Sequence, residues 1–394
     1  NYDTINKILN KNKTSKNNSR IVSIDALRGL VMLFMLIDHV RERIYLHMQV
    51  ADPMFIENTS IDLFFTRLLA HICAPVFVFL TGVSAWLYSN SNKKESSLVS
   101  NFLLKRGLFL IAMEVTLINF SWMGEYHTLW LQVIWAIGIS MIVLSLMVKL
   151  PMWAIASTGF LIVFGHNLLS PINFESGDAG YAIWTILHDR AYLVSDGVLK
   201  VRASYPVLPW IGVILLGYFS GQLYDRGINT QKRTKLLVKV GLSCLVFLLI
   251  LRGTNLYGEP VLWISGNTKL VTVMSFFNFT KYPPSLHFLL MNLGIGILLL
   301  AWFERIHSSN KVLKILRTFG SAPMFFYVVH LYALLLIYWV LIAIYGANQG
   351  NLFGVDNFVW VWILSVALSV VLYFPTKAFS EFKKHSNQAW LRYF

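Results

Sequence analysis

About ten stretches of roughly 17 to 25 mainly apolar residues recur along this chain, each long enough as a helix to cross a hydrocarbon layer of about 30 Å. They lie near 24–46, 67–89, 102–122, 129–148, 151–170, 207–224, 236–252, 286–303, 321–345 and 358–377. Backbone polar groups in lipid must be satisfied internally, so only helices and closed barrels span a membrane. A barrel would show alternating strands of about ten residues, and the sequence has no such series. Composition agrees with helices: 56% of the 394 residues are hydrophobic and 13% are charged, where soluble domains carry about a quarter charged. The expected fold is an all-α polytopic membrane helical bundle of about ten transmembrane helices. Residues 21–394 form one expected domain after a polar tail at 1–20.

Loop charges orient the bundle, because Lys and Arg concentrate on the cytoplasmic side. With both termini cytoplasmic, that side receives Lys7, Lys11, Lys13, Lys16 and Arg20 of the tail. It also receives Lys93, Lys94, Arg226, Lys232, Arg233, Lys311, Lys314, Arg317, Lys383, Lys384 and Arg392. Asp52, Glu57, Asp62, Glu175, Asp178 and Asp356 fall outside. This bias accounts for the net charge of +14, and no nucleic acid partner is expected, since no basic patch interleaved with aromatics forms a separate domain. The hydrophilic first twenty residues do not read as a signal peptide, so the first apolar run is expected to stay as an anchor. Cys73 and Cys244 fall inside apolar runs, which indicates neither a disulfide framework nor a cysteine metal site. The longest breaks, 171–205 and 253–285, are expected on the outer side as connectors or lids.

The first run carries Asp25, Arg28, Asp38, His39 and Glu42. On a helix turning about 100° per residue, Arg28, His39 and Glu42 lie at about 300°, 320° and 260° from Asp25, while Asp38 falls about 100° from His39. Intramembrane charge costs at least about 2.5 kcal/mol per group, so this stripe should face protein or water. Asp25 and Arg28 are also spaced to pair with each other. By helical rise His39 lies roughly 22 Å above the inner face, and His71, His166 and Asn292 reach about that level, with Glu114 and His330 lower. Around His71 the second run offers small residues, Ala74, Gly82 and Ala85, for close helix approach, and Pro75 leaves the His71 carbonyl without its helical donor. No nucleophile elbow, phosphate loop or H-E-x-x-H motif is present, and with the histidines scattered over separate helices no metal is expected. Two uses of the intramembrane groups stay open on the residues alone: a general base for group transfer, or the proton relay of a transporter or permease.

Several motifs carry a family resemblance. They are R-I-V-S-I-D-A-L-R-G-L-V-M from Arg20, D-H-V-R from Asp38, L-F-F-T-R from Leu63 and H-I-C-A-P-V-F-V-F-L-T-G from His71. Y-P-V-L-P-W-I-G from Tyr205, K-Y-P-P-S-L from Lys281 and G-S-A-P-M-F-F-Y-V-V-H from Gly320 complete the set. Together they resemble a bacterial multi-pass membrane family of the transmembrane acyltransferase superfamily, related to heparan-α-glucosaminide N-acetyltransferase. Asp25, Arg28 and Gly29 match its first shared motif, and Pro75, Phe77 and Gly82 its second. The resemblance implies an O- or N-acetyltransferase that passes an acetyl group from cytoplasmic acetyl-CoA, the co-substrate, to a sugar amine or hydroxyl of an exported glycan. It implies location in a bacterial cytoplasmic (inner) membrane, with lipid around the bundle and the oligomeric state open. The lysosomal enzyme's buried His lies beyond the first helix, where this chain has His47 at another spacing, whereas His39 and His71 belong to the bacterial pattern. The expected catalytic residues are therefore His39, ahead of His71, as general base, with Asp38 orienting its ring. Arg28 and Asp25, at the inner mouth, are the expected contacts for acyl-CoA.

Overall fold

The structure, a computed structural model, describes residues 21–394 other than Gln49, Asn92 and Lys93. The tail at 1–20 with its lysines and Arg20, together with Lys93 and the Arg392 side chain, falls outside the described residues. In chain order the principal helices are α1 (Val22–Ile44), α2 (Ile61–Ala70), α3 (Cys73–Asn90), α4 (Ser96–Met113), α5 (Asn119–Met123), α6 (Val133–Met147), α7 (Met152–Gly165) and α8 (Tyr181–Leu187). They continue with α9 (Leu208–Ser220), α10 (Thr230–Thr254), α11 (Lys269–Phe277), α12 (Leu286–Phe303), α13 (Lys311–Ser321), α14 (Pro323–Tyr345) and α15 (Val359–His385). A small sheet of β1 (Thr128–Leu131), β2 (Tyr192–Val194) and β3 (Lys200–Ala203) has the order β1-β3-β2, with β1 parallel and β2 antiparallel to β3.

Each apolar run holds a helix, although the run near 129–148 begins in β1, and the fold is an all-α polytopic bundle. Among the described residues six helical stretches are long and apolar enough to cross a membrane: Ile61–Asn90, Met152–Leu169, Thr230–Thr254, Leu286–Phe303, Pro323–Tyr345 and Val359–His385. Val133–Met147 and Leu208–Tyr224 are apolar but shorter. Burial sorts inner from outer helices: 78% of the best window is buried in Ile61–Asn90 and Leu286–Phe303, against 22% in Met152–Leu169 and Thr230–Thr254, whose apolar sides face outward as a lipid solvent requires.

α1 is the central strut, packed on α2, α3 and α12 to α15. Its closest neighbour is α13, which the sequence reading left among the cytoplasmic loops. K-V-L-K-I-L-R-T-F-G-S is apolar on one face only, so it contains no continuous apolar run; Leu313, Leu316 and Phe319 bury that face and Lys311 and Lys314 stay exposed. Asn310 caps the helix by accepting from the Leu313 N–H at 3.1 Å. Gly29 sits against the Leu316 carbonyl and Gly320 against that of Asp25, and a Cβ at either glycine would collide with backbone. Gly82 of α3 makes a similar approach to α9, as the small-residue face around His71 suggested. The break expected there is present: the chain leaves α2 at His71 and resumes as α3 two residues later, with Pro75 in its first turn.

Candidate functional site

His39 lies on the inward face of α1, half-buried, and lines a cleft inside the bundle. Its Nδ1 is 2.7 Å from Nε2 of His330 on α14, and the two rings are nearly parallel. His330, fully buried, places its own Nδ1 2.8 Å from the Phe326 carbonyl. A carbonyl only accepts, so the His330 proton sits on Nδ1; a neutral His330 then accepts at Nε2, and His39 must donate from Nδ1. The lone pair of His39 is thereby assigned to Nε2. Trp122 packs edge-on against the His39 ring, its centroid 5.2 Å away. Arg43 fixes that wall by donating to the Ser121 and Trp122 carbonyls at the end of α5, satisfying groups that a helix C-terminus leaves open.

Asp38 also lines the cleft, but it does not orient the imidazole as expected. Its Oδ1 accepts from Arg41 Nε and Nη2 at 3.0 and 2.9 Å, and its Oδ2 accepts from Arg67 Nη1 at 2.5 Å. Arg67 reaches on to Asp52 Oδ2 at 3.2 Å. The reason is the rotation of about 100° between adjacent residues, which turns Asp38 toward α2 while His39 faces α14. His330 takes the orienting place. Counting helical rise from a common plane set it too low, because α13 climbs along α1 before α14 begins: Gly320 already lies level with Asp25 and Gly29.

The other expected site residues are not gathered into the cleft. His71 is buried behind it against Phe288, and among the described residues neither of its ring nitrogens has a hydrogen-bond partner. His166 is buried near His188, Asn292 donates to the Phe288 carbonyl, and Glu114 accepts from the Trp135 N–H. None of these four is part of the cleft lining. Arg28 donates to Asp25 Oδ1 at 2.7 Å, to the Gly320 carbonyl at 3.1 Å and to Ser84 Oγ at 2.9 Å. Arg28 and Asp25 thus tie α1 to α3 and α13, also outside the lining.

Among the lining residues that sequence reading missed are Arg106, Tyr205, Lys281 and Tyr393. Arg106 is a charge within the third apolar run, a signal the cost of intramembrane charge could have raised. Tyr205 and Lys281 open two of the recognised motifs, but they come from the long breaks, where no periodicity fixes direction. By helix position the cleft extends from Arg106 and Thr81 on one side to His39, Tyr205 and Lys281 on the other.

Apolar helices enclosing a cleft that carries ionisable side chains define an integral membrane protein with a site inside its bundle. The family model described as heparan-alpha-glucosaminide N-acetyltransferase, catalytic, matches residues 20–251, more than half of the chain, and the chain belongs to that family. Membership makes it a membrane acetyltransferase. The matched residues include Asp38, His39, Arg106 and Tyr205 and stop short of Lys281 and His330. None of the curated proteins compared matches the chain.

Proposed function

We propose that the protein transfers an acetyl group from acyl-CoA, entering from the cytoplasm, to a sugar amine or hydroxyl of an exported glycan, with His39 as the general base. The observation that carries this reading is the relay from the Phe326 carbonyl through His330 to His39, which leaves the His39 Nε2 lone pair for an acceptor proton at the cleft that His39 lines. A thioester is already activated, so alignment and removal of the acceptor's proton are the main tasks left to the protein. In this reading residues 21–394 act as one domain, with both termini cytoplasmic and the 171–205 and 253–285 segments outside. Arg106, at the cleft's inner part, meets the CoA moiety, while Arg28 and Asp25 hold the mouth together below it. Asp38 anchors the surrounding charges, and His71 packs the wall behind them.

The test uses the two native thiols. Cys73 lines the cleft, whereas Cys244 lies on peripheral α10 outside the lining. Acetyl-CoA is expected to slow alkylation of Cys73 by a membrane-permeant maleimide in proportion to occupancy and to leave Cys244 unaffected, read by peptide mass spectrometry. Equal labelling of Cys73 with and without saturating acetyl-CoA would refute donor binding in this cleft.

A further inference from the structure

The outer break 253–285 ends in a turn whose side chains reach back into the cleft. Lys281 is 5% exposed, and it lines the cleft together with His39 and Asp38. Its backbone N–H donates to Asp52, whose other oxygen accepts from Arg67, the partner of Asp38, so the residue sits beside that charge cluster. Burying an ammonium is costly without a partner, and such groups are normally consumed by ion pairs. Here Asp38 and Asp52 are already committed. Both oxygens of Asp38 accept from Arg41 and Arg67, Asp52 Oδ2 accepts from Arg67, and Asp52 Oδ1 accepts the backbone N–H of Lys281 at 3.0 Å. Among the described residues no hydrogen bond or ion pair is recorded for the Lys281 ammonium, whose noted contact is the Tyr282 ring at 5.1 Å. Asp38, Glu42 and Asp52 balance Arg41, Arg67 and Lys281 in number, so the cluster compensates the ammonium's charge without occupying its donors.

The turn is also held rigidly. Glu259 accepts from the Thr280 N–H and hydroxyl and from the Ser285 hydroxyl, the last two at 2.5 Å, and Ser285 N–H closes the turn on the Thr280 carbonyl at 2.9 Å. Burial raises the Glu259 carboxyl above its ordinary pKa, and these donors oppose that rise. Tyr282 donates to the Tyr205 hydroxyl at 3.2 Å, joining this break to the other long one. A cation fixed by its backbone on both sides, with its donors unused and a proposed base across the same cleft, has the properties of a preorganised anion site.

We propose that Lys281 is a catalytic residue that stabilises the oxyanion of acyl transfer. The inference rests on the acyl-transfer reading of the cleft. In the step it serves, the acceptor lone pair bonds to the thioester carbonyl carbon, the C=O π pair moves onto oxygen beside the Lys281 ammonium, and the acceptor proton passes to His39 Nε2. The oxygen pair then re-forms C=O, the C–S bond breaks, and the CoA thiolate takes the proton from the His39 imidazolium. Atoms and charge balance with no further reactant.

Two unreactive CoA thioethers of equal heavy-atom count isolate this role: S-carboxymethyl-CoA, which places an anionic oxygen beyond the sulfur, and S-acetonyl-CoA, which places a methyl there. Wild-type protein is expected to bind the carboxymethyl form about tenfold more tightly, the scale of one charge-assisted hydrogen bond. Lys281→Met and Lys281→Gln are expected to abolish that preference while still binding the acetonyl form. With glucosamine as the probe acceptor, kcat in both variants should fall by about 10² to 10³-fold with little change in KM for acetyl-CoA. A merely structural lysine would weaken both thioethers together. Equal affinities in wild-type protein, or a preference that survives in either variant, would overturn the role of Lys281. Failure of wild-type protein to bind either thioether would instead refute the cleft as an acyl-CoA site.

Discussion

Replacing His39 by Gln is expected to lower acetyl transfer by about 10² to 10⁴-fold, the contribution of a positioned general base, while the protein still folds and binds acetyl-CoA. Gln keeps a polar side chain of similar reach and can still donate toward His330, so the relay's packing is preserved and only the basic lone pair at Nε2 is lost. His330→Phe provides the matching comparison. It retains a flat ring against Phe326 and Tyr327, but removes the acceptor that assigns the His39 proton to Nδ1. Its loss should therefore be smaller than that of His39→Gln, because the base remains and only its tautomer and orientation are freed. Steady-state transfer from labelled acetyl-CoA to glucosamine measures both. A His39→Gln variant with near wild-type turnover would remove the imidazole from the chemistry.

The second large effect is on stability. Asp38, Arg41 and Arg67 are 7%, 4% and 5% exposed, and Asp38 accepts hydrogen bonds from both guanidiniums. Asp38→Ala leaves two buried cations with only Glu42 and Asp52 to compensate them, and truncating one member of a buried ion pair typically costs about 3–5 kcal/mol. The expected result is a marked fall in thermal unfolding temperature in detergent. Adding Arg67→Met to Asp38→Ala should recover part of it, because the second change removes one uncompensated charge. A single variant as stable as wild type would mean that water already solvates this cluster.

Much of the fold was legible because lipid imposes a crude rule: an apolar run of sufficient length is a helix. The helix end at Asn90 and the whole of Leu286–Phe303 lie where the runs placed them, within a residue or so. α13 escaped, since an amphipathic helix at a polar boundary alternates charge and apolar groups and offers no run to count. Its omission propagated into the site. With α13 taken as loop, His330 was set below His39, and the imidazole pair that organises the cleft could not be seen. Depth alone did not select the site, as His71 and His166 lie outside the cleft lining. The turn of about 100° per residue set Asp38 on the flank of the stripe, which argued against the expected role of Asp38 in orienting the His39 ring. What that turn cannot give is the partner on another helix, here Arg67, or the direction of a side chain from an irregular segment, here Lys281.

Acetyl transfer across a sealed bilayer tests the role of His39 most directly. Purified protein is reconstituted in proteoliposomes, with labelled acetyl-CoA supplied only outside and glucosamine trapped only inside. Molecules whose cytoplasmic face points outward should deliver labelled acetyl to the luminal sugar, without acetyl-CoA itself entering, and His39→Gln should reduce that delivery to the level of protein-free vesicles. Luminal acetylation by His39→Gln at the wild-type rate, or acetyl-CoA accumulating intact in the lumen, would contradict transfer through the cleft at His39.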